Sequence, residues 1–144
     1  SILRELSYAY PSPTDFIRFA VREVFTEDRE TQEALSAEFP DDIVEYAEKA
    51  GMRREVLEWY WKSHWDLPSP TQVYEMLHRL NPEVLKVRGS AYKEMGLDMS
   101  KLETTIETVK TYLKQADYDL RWRDRLVAIS YAPLTRVDLL SILP

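Results

Sequence analysis

The tetrapeptide Pro-Ser-Pro-Thr occurs twice, at residues 11–14 and 68–71, and each copy carries the signals of a helix start. The serine is a preferred N-cap residue, and the proline that follows it suits the first helical position. Asp15 and Gln72 stand at the third helical position, where their side chains complete a capping box. The first proline of each copy ends any helix that precedes it. We therefore predict that each tetrapeptide is an elbow between two helices.

A degenerate third copy, Ala-Pro-Leu-Thr, occupies residues 132–135. The threonines of the three copies are 57 and 64 residues apart, and apolar residues follow each threonine at the second and fifth positions. This spacing predicts a duplicated helical unit of about 60 residues, with pseudo-repeats at 11–67 and 68–132 and a partial third from 133. The predicted elbow residues are Pro11, Ser12, Pro13, Thr14, Pro68, Ser69, Pro70, Thr71, Pro133 and Thr135. The alternative is that a common helix-start motif occurs twice by coincidence.

Glycine is scarce, with only three in 144 residues, which argues against a fold rich in tight hairpins. No segment shows sustained strict alternation of apolar and polar residues, whereas helical spacing is frequent. The sequence therefore predicts an all-α multi-helix bundle, formed as one domain over residues 1–144. We predict helices at 13–25, 43–50, 52–65, 70–80, 100–115 and 120–131, a short helical turn at 83–87, a last helix capped by Thr135, and a loop at 88–99 that can contain a short helix around Tyr92.

Local signals set the expected boundaries of the less regular segments. Thr26 is predicted to cap a short, partly exposed helix or an ordered loop. Gly51 is predicted to end the helix at 43–50 in the left-handed conformation. Ser100 is predicted to cap a helix, with Glu103 completing its capping box.

The first residue is serine, and the last residues still follow a helical pattern. We therefore expect a fragment of a larger protein; a processed small protein is the alternative. No apolar run approaches the length of a membrane span, about 18 residues. The absence of cysteine excludes disulfides, thiolate nucleophiles and cysteine-based zinc sites.

Two clusters are candidates for interaction with a partner. On a helix, Tyr60, Trp61 and Trp65 share a face, and Trp59 points elsewhere, which makes Trp59 the candidate for an interface. The second cluster consists of Arg121, Trp122, Arg123 and Arg125. It can stack on nucleic acid or another polyanion. Alternatively, its tryptophan is buried and its arginines pair with Asp117 and Asp119. The net charge of −6 lowers the expectation of nucleic-acid binding.

Catalytic and metal-binding patterns are weak. The chain contains two histidines, and His64 with Asp66 is the only pair that suggests a general base and its orienting group. Glu75 and His78 form one Glu-x-x-His pattern, but a di-iron bundle needs two. We therefore predict no catalytic, cofactor-binding or metal-binding residue and expect a non-enzymatic protein. A hydrolase that uses histidine and carboxylates is the last alternative, and no small-molecule ligand is indicated.

Several segments resemble parts of large helical virion-associated or tail-like structural proteins of viruses of bacteria and archaea. The similar stretches lie mainly within residues 52–80 and 113–140 and include Leu-Pro-Ser-Pro-Thr-Gln, Trp-Arg-Asp and Pro-Leu-Thr-Arg-Val-Asp. The resemblance implies a structural or assembly module located in a virion. It would act by protein–protein contacts with other copies of itself or other regions of the parent protein. A nucleic-acid or polyanion-binding adaptor is the alternative.

Overall fold

The computed structural model describes residues 10–131, and this part of the chain is all-α, as predicted. It contains eight α-helices and no strand. The helices are α1 (Pro13–Val21), α2 (Arg29–Ser36), α3 (Val44–Lys49), α4 (Arg54–His64), α5 (Pro70–Arg79), α6 (Pro82–Glu94), α7 (Ile106–Gln115) and α8 (Leu120–Ile129). None of the helices within these residues is long and apolar enough to cross a lipid bilayer.

The chain divides into two compact units between Leu67 and Pro68. In the N-terminal unit, α1, α2 and α3 each pack against α4. Its core centres on Phe19, Val24 and Val56. Phe19 is fully buried and lies 5.0 Å, centroid to centroid, from the ring of Tyr60. This unit is therefore held together largely by aromatic packing around one helix.

The C-terminal unit is organised around α7, which packs against both α5 and α8. Its core consists mainly of aliphatic side chains: Val73, Leu77, Val109, Leu113 and Val127. Tyr112 donates a hydrogen bond from its hydroxyl to the carbonyl of Pro68. The backbone N–H of Thr104 donates to the carbonyl of Leu80 at 2.9 Å, which ties the approach to α7 to the end of α5.

Three predicted helix boundaries are present as expected. Ser12 and Ser69 both form capping boxes, in which the serine side chain accepts from the third residue and that residue accepts from the serine N–H. Gly51 has a φ of 90°, so it ends α3 in the left-handed conformation that glycine adopts without strain.

Two other boundaries were predicted wrongly. Helix α1 ends at Val21 rather than Phe25, because Glu23 has a φ of 62° and turns the chain out of the helix. The N-cap of α2 is Asp28, which accepts from the N–H of Thr31, and not Thr26. The positive end of the helix dipole also stabilises a carboxylate at this position.

The predicted loop at residues 88–99 is wrong for residues 88–94, because α6 continues to Glu94; the helix expected around Tyr92 is the last part of α6. Gly89 lies buried inside this helix, and a Cβ atom at this position would be 3.0 Å from the Cε atom of Met99. Gly89 is therefore a tightly packed position within a helix and not a turn. Asn81 caps the helix, and Pro82 occupies its first position. The helix that starts here is 13 residues long.

Ser100 does not cap α7, which begins at Ile106 with Thr105 as its N-cap. Ser100 instead lies in a short 3-10 turn, Met99–Lys101, and its N–H and hydroxyl both donate to Asp98. Asp98 accepts both bonds, so Asp98 and not Ser100 is the capping residue of this turn.

Both units begin with a capped helix, and in both the first helix packs against a later one, α4 or α7. Between them lie α2, the 3-10 turn Asp41–Ile43 and α3 in the first unit, but only α6 and the 3-10 turn Met99–Lys101 in the second. Duplication of a unit stays a prediction. The predicted third copy, with Pro133, Thr135 and the capping residue Asp138, lies outside the described residues.

We expect Ser69→Ala to lower the free energy of unfolding of the C-terminal unit by about 1 kcal/mol, because the N–H of Gln72 loses its acceptor. Chemical denaturation followed by amide signals from α5 measures this loss. Ser90→Ala is the control, since Ser90 is an exposed serine inside α6 and alanine favours a helix interior. Equal effects of the two substitutions would contradict a capping role for Ser69.

Candidate functional site

Two arginines of α1 add hydrogen bonds to the packing of its buried Phe19 against α4. The guanidinium of Arg18 donates to the carbonyl of Ser63 at 3.4 Å, and that of Arg22 donates to the carbonyl of Trp65 at 3.0 Å. These carbonyls belong to the end of α4, where backbone acceptors lack partners within the helix and the helix dipole is negative. Two arginines that a helical wheel would assign to solvent therefore hold α1 in place.

A hydrogen bond at the start of α1 reinforces this arrangement. The hydroxyl of Tyr60 donates to the Oδ2 atom of Asp15 at 2.8 Å. The bond stabilises the carboxylate and holds the pKa of Asp15 below its ordinary value. Burial, followed by the same bond, raises the pKa of Tyr60. At neutral pH the donor and the charged acceptor are therefore both in the form that the contact requires.

Because these polar contacts and the buried Phe19 turn one side of α1 towards α4, a second apolar side of α1 faces solvent. Pro13, Phe16, Ile17 and Ala20 are all exposed, and Ile17 has a relative exposure of 65%. Their spacing of three, four and seven residues places them on one stripe of the helix. Such spacing normally marks the buried side of an amphipathic helix.

Two more aromatic residues extend this stripe. Trp59 is half-buried, and its ring centroid lies 5.8 Å from that of Phe16 and 5.3 Å from that of Phe25. Phe25 is itself exposed. We call the combined surface the apolar face; it consists of Pro13, Phe16, Ile17, Ala20, Phe25 and Trp59. Exposed aromatic clusters of this kind are typical of protein-binding surfaces.

Charge is distributed unevenly between the two units. Residues 1–67 contain eight Lys or Arg and 15 Asp or Glu, a net charge of −7, whereas residues 68–144 contain 11 and 10, a net charge of +1. Exposed carboxylates also adjoin the apolar face in the chain: Glu27 follows Phe25, and Glu55 lies one turn before Trp59. The apolar face is therefore set in an acidic unit, which favours partners of positive charge.

The other tryptophans of the aromatic run have structural contacts. The indole N–H of Trp61 donates to the carbonyl of Ala37 at 2.9 Å, and that of Trp65 donates to the carbonyl of Leu35 at 2.8 Å. Both acceptors lie at the end of α2. Trp59 lies apart from this pair and against α1, so the run is divided between the two sides of α4.

The arginine–tryptophan cluster lies on α8. Arg121 binds Asp119 through two guanidinium nitrogens, at 3.0 and 2.7 Å, and this pairing raises the pKa of Arg121. Arg123 donates to the carbonyl of Tyr118. Trp122 is 44% exposed, so the expectation of a buried tryptophan is wrong, whereas the expected pairing of Arg121 with Asp119 is present.

The exposed side of α8 combines apolar and cationic groups. The guanidinium carbons of Arg121 and Arg125 lie 5.6 and 5.2 Å from the ring centroid of Trp122. Ile129 is 75% exposed and lies seven residues after Trp122, on the same side of the helix. We call Trp122, Arg125 and Ile129 the α8 face.

The two histidines have structural partners. The Nδ1 atom of His64 lies within hydrogen-bonding distance of the carbonyl of Trp61, and no hydrogen bond with Asp66 is formed. The Nε2 atom of His78 is 2.9 Å from the carbonyl of Ser130, and its ring packs edge-on against Tyr131. Within residues 10–131, no three His, Asp or Glu side chains are grouped as ligands for a metal.

No protein-family model matches this chain, and neither a curated protein nor a solved structure is similar to it. Nothing in these comparisons links it to virion or tail-like proteins. Trp59 was chosen as the interface candidate because helical geometry places it away from Trp61 and Trp65. The stripe on α1 was missed, because its spacing is also that of a core-facing helix.

Proposed function

We propose that this chain is a non-enzymatic protein-binding module and that the apolar face of the N-terminal unit is its binding surface. The observation that carries the proposal is the orientation of α1. Its buried Phe19 and its two arginines lie against α4, and its stripe of four apolar residues faces solvent. Exposure of such a stripe is unfavourable unless a partner covers it.

Trp59 strengthens the proposal. Its ring is supported by Phe16 and Phe25, so binding would immobilise little additional side-chain freedom. Rigid aromatic residues near the centre of an interface are the usual binding hot spots. An assembly role is a special case of this function and is expected from the resemblance described above.

A polyanion-binding adaptor is less well supported. Of the three arginines on α8, Arg121 is paired with Asp119, and Arg123 is bound to a backbone carbonyl. Asp124, on the same helix, pairs with Lys110 at 3.1 Å. Nucleic-acid binding requires several cations that are available to phosphates, whereas Arg121 already has a carboxylate partner and Arg123 a carbonyl partner.

The proposal predicts that an amphipathic helical peptide binds the chain. The peptide has leucines on one side and lysines on the other and is about 18 residues, or five turns, long. Ile17→Asp should weaken this binding at least about tenfold, because it places a charge in the middle of the apolar face. Isothermal titration calorimetry measures the affinity, and burial of apolar surface should give a negative heat-capacity change.

Val87→Asp is the matched control, because Val87 is 80% exposed on α6 and outside the apolar face. Neither substitution removes a buried side chain, so the fold should be kept in both. Absence of binding to the unaltered chain, or equal weakening by the two substitutions, would reject the apolar face as a binding surface.

A further inference from the structure

We propose that the apolar face of one molecule binds the α8 face of a second copy, so that the chain assembles head to tail. This inference rests on the proposed function, since it names the partner of the same surface. It joins a surface that contains Trp59 and a surface that contains Trp122 in one contact between copies.

The α8 face is a ridge of apolar and cationic side chains. Trp122, Arg125 and Ile129 follow one another at spacings of three and four residues, so they form a single ridge along α8. Trp122 and Ile129 are exposed and supply the apolar contacts. The apolar stripe of α1 has the same helical spacing, which suits packing of one helix against another.

The two surfaces also have complementary charges. The apolar face lies in a unit of net charge −7, and the exposed Glu27 and Glu55 are near its residues Phe25 and Trp59 in the chain. Helix α8 carries three arginines and one aspartate. Its Asp124 is paired with Lys110, whereas Arg125 forms no ion pair with a carboxylate among residues 10–131. Arg125 is therefore available to an acidic surface of another molecule.

Charge also decides against a symmetric contact. Two apolar faces brought together would place two units of net charge −7 side by side, and two α8 faces would oppose their arginines. A contact between two different surfaces leaves one of each free at the ends. The result is a chain of molecules that grows with concentration, or a ring if the geometry closes.

Two variants test the inference by complementation. Ile17→Asp disables the apolar face and keeps the α8 face, whereas Arg125→Glu does the opposite; both residues are exposed. In sedimentation velocity, we expect the unaltered chain to form species larger than dimers as concentration rises. Each variant alone should be monomeric, with association weakened at least about tenfold. Their mixture should form a one-to-one dimer, because one functional contact is restored.

Val87→Asp should assemble like the unaltered chain and is the control for a surface charge. A strict monomer at high concentration, or loss of assembly with Ile17→Asp but not with Arg125→Glu, would overturn the head-to-tail contact. If the monomer still binds the Leu/Lys peptide through Ile17, the proposed function stands and the partner is a basic helix of another protein. If the unaltered chain shows neither property, both proposals are wrong.

Discussion

Phe19→Ala should lower the free energy of unfolding of the N-terminal unit by about 3–5 kcal/mol. Phe19 is fully buried, and its ring centroid lies within 6.2 Å of those of Phe16, Phe25, Trp59 and Tyr60. Removing it leaves a cavity that four rigid rings cannot fill without leaving their preferred rotamers. Since a whole domain is stable by only about 5–15 kcal/mol, this loss is a large part of the total.

Tryptophan fluorescence during chemical denaturation measures this effect, because three of the four tryptophans belong to the N-terminal unit. Phe16→Ala is the control. It removes the same side chain one turn earlier on α1, but Phe16 is partly exposed, so the cost should be about 1–2 kcal/mol. If the two substitutions had equal costs, Phe19 would not be the centre of this core.

The second large effect is expected from Leu113→Ala in the C-terminal unit, which should lose about 2–5 kcal/mol. Leu113 is fully buried on α7, the helix that packs against both α5 and α8. A cavity at this position therefore weakens two helix contacts at once. Amide hydrogen exchange of the C-terminal unit should show faster opening of all three helices.

Leu120→Ala makes the same chemical change on an exposed side chain, at 74% relative exposure. Its cost should stay within about 0.5 kcal/mol, because little apolar area returns to water. A large cost for Leu120→Ala, or a small one for Leu113→Ala, would show that α7 is not the central helix of the unit.

The starts of helices could be predicted from the sequence where a cap, a proline and a third-position acceptor coincide. This combination located α1 and α5, whose capping boxes use Ser12 and Ser69. The method failed at Ser100, where a serine and a glutamate have the right spacing but Asp98 competes for the same backbone donors. Capping signals are local, so a nearby second acceptor is enough to move a boundary.

Gly89 shows a different limit of the sequence. Glycine generally indicates a turn, yet here it lies in the middle of α6 and allows Met99 to approach closely. Its close neighbour is a side chain ten residues away in the chain. Only the packed structure shows this neighbour, because helix propensity describes a residue without its tertiary contacts.

The sequence by itself determined the helical class and the capped starts of the two units. Trp59 does lie apart from Trp61 and Trp65. However, Tyr60, predicted to share the face of those two, packs with Trp59 against Phe19.

Tertiary structure alone decided which side of α1 is exposed. The spacing of Phe16 and Ile17 indicates that an apolar stripe exists, but it does not indicate what covers the stripe. Phe19 is buried against α4, and Arg18 and Arg22 bind carbonyls at the end of the same helix, so these contacts across more than 40 residues of chain leave the stripe facing solvent.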